Sequence, residues 1–467
     1  MLQMTAEQFN LINRDNIGQL LQKIRPILDH RRRMYERYSR KISQIDTMGG
    51  GYDENGKRHA IVAFEFYVVN MVQGYLGGKA PAYSVQKGDK EESYVKDYTD
   101  AIEKIRRYND DAATYIELIH DYLITSAAHL YIYENEDNEI VYTRFDSRQT
   151  VGIFDYATPP NQIGCVRTWE QADVKGQQET VVEVISDGYR RKFIGKDFVF
   201  SIVEEPEMLS WGDVPCVTFE HPDGITVFEP AISPIDTYEQ LINNVRNMTQ
   251  YNDDAKLLVY GYNPANQIGT PERDKEDAEW LRANVLFIGE GGKIEWLLKS
   301  IDYSGTLSLQ KSLHDLITML TGVPNMTDEA FSSADNASAL GYKLYALDQY
   351  CATSDRVFRK GYLRLWEIIT NRLNLKGADF DFRDINIVMQ RNIPTDKDKS
   401  ISRAATMKSS GLFSDLTCIN ESQVEVDAQE ELERRDQETE KDYETMMKRN
   451  QQNPQEEPDD DGQEANP

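Results

Sequence analysis

Between Leu340 and Leu373 the chain places apolar side chains at Leu340, Leu344, Leu347, Cys351, Phe358, Tyr362, Leu365, Ile369 and Leu373. Steps of three, four and seven put all of them on one face of a helix, in a near-heptad stripe. At 1.5 Å per residue such a helix runs roughly 50 Å, long for an ordinary globular domain. Directly before it stands PNMTDEAFSSADNAS, a run of small and polar residues. Before that comes another helical pattern, TLSLQKSLHDLITMLTGV, with Leu309, Leu313, Leu316, Ile317 and Leu320 at helical spacing. Two long helices are therefore expected to meet through a soft polar loop.

The 467 residues suffice for two or three domains or one elaborate fold, and 40% hydrophobic with 28% charged residues is a globular composition. A net charge of -27 argues against a protein that grips phosphates over most of its surface. It is compatible with a protein that DNA must pass without sticking. Cys165, Cys216, Cys351 and Cys418 lie far apart, with neither zinc-ligand spacing nor a disulfide framework, which points to a reducing compartment. MLQMTAEQFNLINRDNIGQ has no basic segment followed by an apolar core, so no signal peptide is expected. The most apolar window, IVAFEFYVVNMVQGYL from Ile61, is broken by Glu65, Asn70 and Gln73 and falls short of a membrane span; it reads as a buried helix.

Along the chain, HRRRMYERYSRKI reads as a basic helix, followed by glycines 49, 50 and 51 and the apolar helix ending near Leu76. GGKAPAYSV turns into a short strand. NDDAATYIELIHDYLIT carries a helical stripe at Tyr115, Leu118, Ile119, Tyr122 and Leu123. Alternation then takes over: a hairpin around Asn135 to Asn138 and strands through VPCVTFEH make an α+β region up to about Pro230. A helix from Pro234 to about Ala255 leads into KLLVYGY, the helical PERDKEDAEWLR and ANVLFIGEGGKIEWLLK, so a small strand-bearing module sits between two helices. FDFRDINIVMQRNIP alternates as a strand pair, and a polar, helix-rich region follows. The end, NQQNPQEEPDDDGQEANP, carries six acids and no base and reads as disordered.

Chemistry-bearing motifs are weak. GYDENGKR from Gly51 fits G-x-x-x-x-G-K, yet Arg58 stands where a Ser or Thr should hold magnesium, and no buried strand precedes it. The six histidines are scattered, without HExxH. The acidic pairs Asp110 with Asp111 and Asp253 with Asp254 lack EF-hand spacing and read as solvated faces. Neither metal nor cofactor is expected. The basic helix, with Arg31, Arg32, Arg33, Arg37 and Arg40 around Tyr35 and Tyr38, offers a nucleic-acid patch or arginines that pair with acids of a neighbouring subunit. The acidic composition favours the second.

Several segments, in this order, resemble the portal proteins of long-tailed bacteriophages, in the branch common among phages of Gram-positive hosts. They are RRRMYERYSRKI, VVNMVQGYLGGKAPAYSV, LITSAAHLYIYENEDNEI and VDAQEELERRDQE. The strongest is LTGVPNMTDEAFSSADNASALGYKLYALDQYCATSDRVFRKGYLRLWEII, with its TGVP, D-E-x-F, small-residue loop and long basic-bearing helix.

The resemblance implies an α+β portal fold with a wing (1–230), a stem helix (231–256), a clip (257–300), a second stem helix (301–323) and a tunnel loop (324–338). A long spine helix with the wing's return (339–394), a helical crown (395–448) and a disordered acidic tail (449–467) complete it. It further implies a non-enzymatic ring of about twelve subunits at one capsid vertex. The ring would be a conduit for packaging and ejecting double-stranded DNA and a nucleator of capsid assembly. Its implied partners are the large and small terminase subunits, a head-completion connector protein, and the major capsid and scaffolding proteins, with no membrane. Its place would be the virion, and the host cytoplasm during assembly. An ATP-dependent DNA motor or nuclease subunit using Lys57 is the alternative. The channel-facing loop residues would be Thr327, Asp328, Glu329, Ser332, Ser333, Asp335, Asn336 and Ser338. A loop without Lys or Arg binds phosphates weakly, because it has no fixed cations to displace the counterions of DNA.

Overall fold

A computed structural model describes residues 2–46, 60–86, 88, 90–172, 176–196, 199–202, 205–253, 256–260, 270–282, 285–288, 294–297, 303–326, 337–392, 397–422, 431–432, 434–435 and 438. Two units divide the chain, Met1–Asn392 and Ile393–Pro467. The first begins as an edge strand, β1 (Leu2–Gln3), and enters α1 (Ala6–Asn10) through a capping box between Thr5 and Gln8. In α2 (Ile17–Asp46) Ile17, Leu20, Ile24 and Leu28 recur every three or four residues, and all are buried. The apolar helix α3 (Phe64–Gly77) leads to β2 (Ala82–Val85).

Next comes α4 (Glu92–Asn109), which the sequence reading above does not include, although Tyr98, Ile102 and Ile105 form its buried stripe. Many charges between those residues hide the period. Asp110, at φ 45°, breaks it from α5 (Asp111–Thr125) and caps α5 by accepting from the Ala113 N–H.

The strands follow: β3 (Ala127–Glu134), β4 (Ile140–Phe145), β5 (Thr150–Phe154), β6 (Gln162–Ala172), β7 (Gln178–Ile185), β8 (Tyr189–Lys196), β9 (Val199–Ile202), β10 (Glu207–Met208) and β11 (Cys216–Glu220). Asn138 at φ 59° turns the β3–β4 hairpin. Seven strands form one sheet, ordered β1-β5-β6-β7-β8-β10 with β9 also on β8; a second sheet is ordered β11-β3-β4. The stripe of α2 covers Val151, Ile153, Val166, Val182, Val184 and Phe193 of the larger sheet.

Helix α6 (Ile232–Asp253) leads to a three-stranded sheet of β12 (Lys256–Tyr260), β13 (Val285–Ile288) and β14 (Ile294–Leu297), with β12 central and α7 (Pro271–Arg282) between β12 and β13. Helix α8 (Tyr303–Thr321) returns against α6. The predicted long helix is α9 (Ala337–Leu375), 39 residues. Its Leu344, Leu347, Cys351, Phe358, Tyr362, Leu365 and Ile369 enter the main core with residues of α3, α4, α5, β3 and β11.

The expected strand pair after α9 is instead a 3-10 turn, Phe382–Asp384, and one strand, β15 (Ile385–Val388). Its partner is β2, antiparallel, with Ile385 opposite Val85. Ile385 and Ile387 alternate inward because β2 and the core shape their surroundings, so the alternation marks a strand without naming its neighbour. In the second unit α10 (Lys397–Ser409) and α11 (Asp415–Ser422) form a helical hairpin turned by Gly411 at φ 68°. All four cysteines are buried and free. Among the described residues no helix is long and apolar enough to cross a membrane.

Candidate functional site

The junction between α8 and α9 carries the residues singled out in the sequence. Thr327, Asp328, Glu329, Ser332, Ser333, Asp335 and Asn336 lie outside the described residues. Ser338, expected in the loop, belongs to the first turn of α9, where Ala337, Ala339 and Leu340 are strong helix formers.

The flank that precedes the loop is anchored. Thr321 closes α8 by donating its hydroxyl to the Ile317 carbonyl, and Gly322 follows in the left-handed region at φ 69°. A side chain on Gly322 would sit 3.3 Å from the Ala346 carbonyl oxygen, so the turn also lets α8 approach the backbone of α9. Val323 is buried in the main core, and the Tyr67 hydroxyl donates to the Pro324 carbonyl at 3.3 Å. Asn325 donates to Asp315 at 3.3 Å. The four letters TGVP thus encode a stop, a turn, a core plug and a tether to α3. The root that precedes the loop is thus packed against both α3 and α9.

A second construction joins α6 and α8 to the body. Ile235 of α6 and Ile317 of α8 are fully buried with Phe64 and Ala231, and Gln310 donates to the Tyr238 hydroxyl at 2.9 Å across the helix pair. Asn243 grips the backbone of Ala60 in both directions, accepting from its N–H at 2.7 Å and donating to its carbonyl at 2.9 Å.

Arg37 of α2 donates to Glu65 of α3 at 2.7 Å and to Asp236 of α6 at 2.5 Å, which ties three helices at one guanidinium. Glu65 is itself fully buried, so Arg37 neutralises a charge that water cannot reach.

The basic helix is therefore corrected. Arg31 and Arg37 find partners within the same chain rather than on a neighbouring subunit. Arg31 continues the buried stripe of Ile17, Leu20, Ile24 and Leu28, and the helical period carries it inside. There it donates to the Thr150 carbonyl at 2.7 Å and the Ser147 carbonyl at 3.3 Å, with Glu220 at 3.7 Å. Spacing alone carried the signal for Arg31: the stripe extends through an arginine.

A crevice of about 280 Å³ between α2, α3 and α5 is lined by Tyr35, Gln73, His120, Asp121, Arg144 and Arg148, among others. Its charges cancel in pairs, Arg144 with Asp121 at 2.7 Å and Arg148 with Asp146 at 2.6 Å. Asp111, one half of an expected solvated pair, is instead buried, bonded by Arg106 at 3.1 Å and the Tyr142 hydroxyl at 2.9 Å. No cluster of metal-ligating side chains occurs among the described residues. The Gly51–Arg58 motif lies outside them.

The first unit thus combines an α+β body, a strand-bearing knob between two paired helices and a long helix that follows the TGVP root. Residues 22–445 match the sequence model described as phage portal protein, SPP1 Gp6-like, and the chain belongs to that family. The family is structural and non-enzymatic and forms homo-oligomeric rings in the capsid of the virion. That sets aside the motor or nuclease alternative.

No curated protein matches the chain. Among solved structures, a chain from the neck of an empty gene transfer agent (GTA) particle, computed with C6 symmetry, is similar at 14% identity and a TM-score of 0.38, covering 75% of this chain and 87% of that one. A chain from the neck of the native GTA particle, with C12 symmetry, is similar at 12% identity and a TM-score of 0.39, covering 77% and 89%. A chain from the virion of the native GTA particle is similar at 12% identity and a TM-score of 0.36, covering 75% and 86%.

Proposed function

We propose that this chain forms a ring of about twelve copies at one capsid vertex, through which double-stranded DNA enters and leaves the head. In this reading α6 and α8 are the stem, the sheet of β12, β13 and β14 with α7 is the clip, α9 is the spine of the wing, and the second unit is the crown. The clip receives the terminase motor and later a connector protein, and the ring nucleates assembly with the major capsid and scaffolding proteins. Assembly takes place in the host cytoplasm.

The observation that carries the reading is the anchored loop root at Thr321 to Pro324. A loop held by two rigid helices can project its small and acidic residues toward an axis at a set height. Ring formation is supported by one side of α8, where Leu309, Leu316, Met319 and Leu320 are exposed, an apolar strip that one chain leaves uncovered.

Replacing Asp328, Glu329 and Asp335 with Lys tests the channel role. In a ring of about twelve, this puts roughly three dozen cations beside the duplex, each strengthening binding through counterion release. Packaged DNA length in a purified reaction should then fall at low salt and recover as salt rises, while ring assembly is unchanged. Identical salt curves for variant and parent would remove the loop from the DNA path.

A further inference from the structure

Acids outnumber bases in this chain by 79 to 52, so three neighbouring cations without a carboxylate partner among the described residues stand out more than single ones such as Arg33 or Lys96. On α9, Arg356, Arg359 and Lys360 are all exposed and follow one another at steps of three and one, on the face turned away from the buried Phe358, Tyr362 and Leu365. Among the described residues none of the three has a hydrogen bond or ion pair. Their neighbour Arg364, by contrast, is engaged by Asp213 and Glu367. Three adjacent unpaired cations on the longest helix repel one another unless something negative lies against them.

The complement occurs on another face of the same unit. Helix α4 exposes Asp97, Asp100 and Glu103, and the neighbouring β3–β4 hairpin tip exposes Glu136 and Asp137. Along α4 runs a shallow groove of about 500 Å³ lined by Asp100, Glu103, Lys104, Arg107 and Tyr108. Lys104 is committed to Glu139 at 2.9 Å, and the Tyr108 hydroxyl accepts from Asn135 at 2.7 Å. Two acids and two bases line the groove itself, and the acidic excess of this face comes from adding Asp97, Glu136 and Asp137 against Arg107, with Tyr108 as an aromatic wall suited to a guanidinium.

Helix α4 buries Tyr98, Ile102 and Ile105 in the same core that receives α9. Each helix turns its charged face outward from that shared core, so one chain cannot bring the two faces together.

We propose that Arg356, Arg359 and Lys360 dock into the α4 groove and hairpin tip of a second copy of this chain. This is a head-to-tail contact, the kind that closes a cyclic ring, and it rests on the ring that the family forms. Charge complementarity sets its register and speeds encounter between two strongly acidic chains, which would otherwise repel.

The full chain tests it by charge exchange. Arg356→Glu with Arg359→Glu and Lys360→Glu should lower the ring fraction seen by mass photometry roughly tenfold at fixed concentration and low salt, with an unchanged circular dichroism spectrum. Asp100→Lys with Glu103→Lys and Asp137→Lys should do the same, and combining both sets should restore most of the ring. Raised salt should weaken the unaltered ring.

Normal rings from the cation reversal, or a combined variant no better than either half, overturns the contact. Normal rings with less DNA retained in particles would assign the cations to nucleic acid instead, and also overturns it. A parent chain that forms no ring would sink the ring reading itself, and this contact with it.

Discussion

Arg31 Nη1 of α2 lies 3.1 Å from His129 Nε2 of β3, and both side chains are buried. An arginine can only donate, so Nε2 accepts and the ring is neutral, with its proton on Nδ1 facing Thr218 Oγ1 at 3.1 Å. Burial first, and then the charge of Arg31, push the His129 pKa well below its usual 6.5.

The folded chain therefore refuses a proton that the unfolded chain takes up as pH falls below about 6.5. This residue's contribution to stability is complete above that pH and is lost progressively as pH drops toward the lowered folded value. Thermal unfolding between about pH 7.5 and 5.5 should show the loss, and His129→Asn should flatten it. Parallel profiles for the two proteins would refute the neutral assignment.

Glu134 at the end of β3 accepts from Arg372 of α9 at 2.9 and 2.5 Å and pairs with Lys376 at 2.7 Å. The Arg372 bonds chiefly hold its carboxyl down at about 2, against a usual 4.5. The stability this gives is full above about 4.5 and is lost as pH falls toward about 2. Glu134→Gln should cost on the order of 1–2 kcal/mol at neutral pH, allowing for the solvent that reaches Lys376, and the cost should vanish near the lower end of that window. Denaturant midpoints of both proteins at three pH values decide it.

A side-chain carbon added at Gly361 of α9 would lie 2.2 Å from a ring carbon of the buried Phe219. Gly361→Ala should therefore destabilise by about 1–3 kcal/mol, because the helix must back away from β11. At Gly74, inside α3, nothing lies within 4 Å of the same added atom. Gly74→Ala should be neutral or stabilising by up to about 1 kcal/mol. Equal melting temperatures for the two variants would contradict this packing.

Residues 257–300 sit between α6 and α8 and contain the three-stranded sheet. Replacing them with a short flexible linker should leave a protein with folded α-helical and β-sheet body that assembles poorly and does not bind the packaging terminase. Terminase binding at parental affinity, measured by co-sedimentation, would relocate the docking surface.

Local periodicity made most elements legible. The stripes of α5, α8 and α9, the β3–β4 hairpin and the strand-bearing knob between α6 and α8 are all read from spacing, because a helix or strand repeats its neighbours' environment every few residues. Helix α4 escaped, since charges at Lys96, Asp100, Glu103 and Lys104 crowd a stripe only three residues strong. The order of motifs carried the family, TGVP above all.

What the chain alone determined was its periodicity, its acidic balance and the order of its segments. Tertiary structure decided the partners: β15 pairs with β2 across 300 residues of sequence, from Ile385 to Val85. It also turned the arginines of α2 inward, as Arg31 meets carbonyls of the β5 region and Arg37 meets acids of α3 and α6. Sequence spacing records which way a side chain points but not what waits there, because a buried charge is tolerated only where distant segments bring it donors and acceptors.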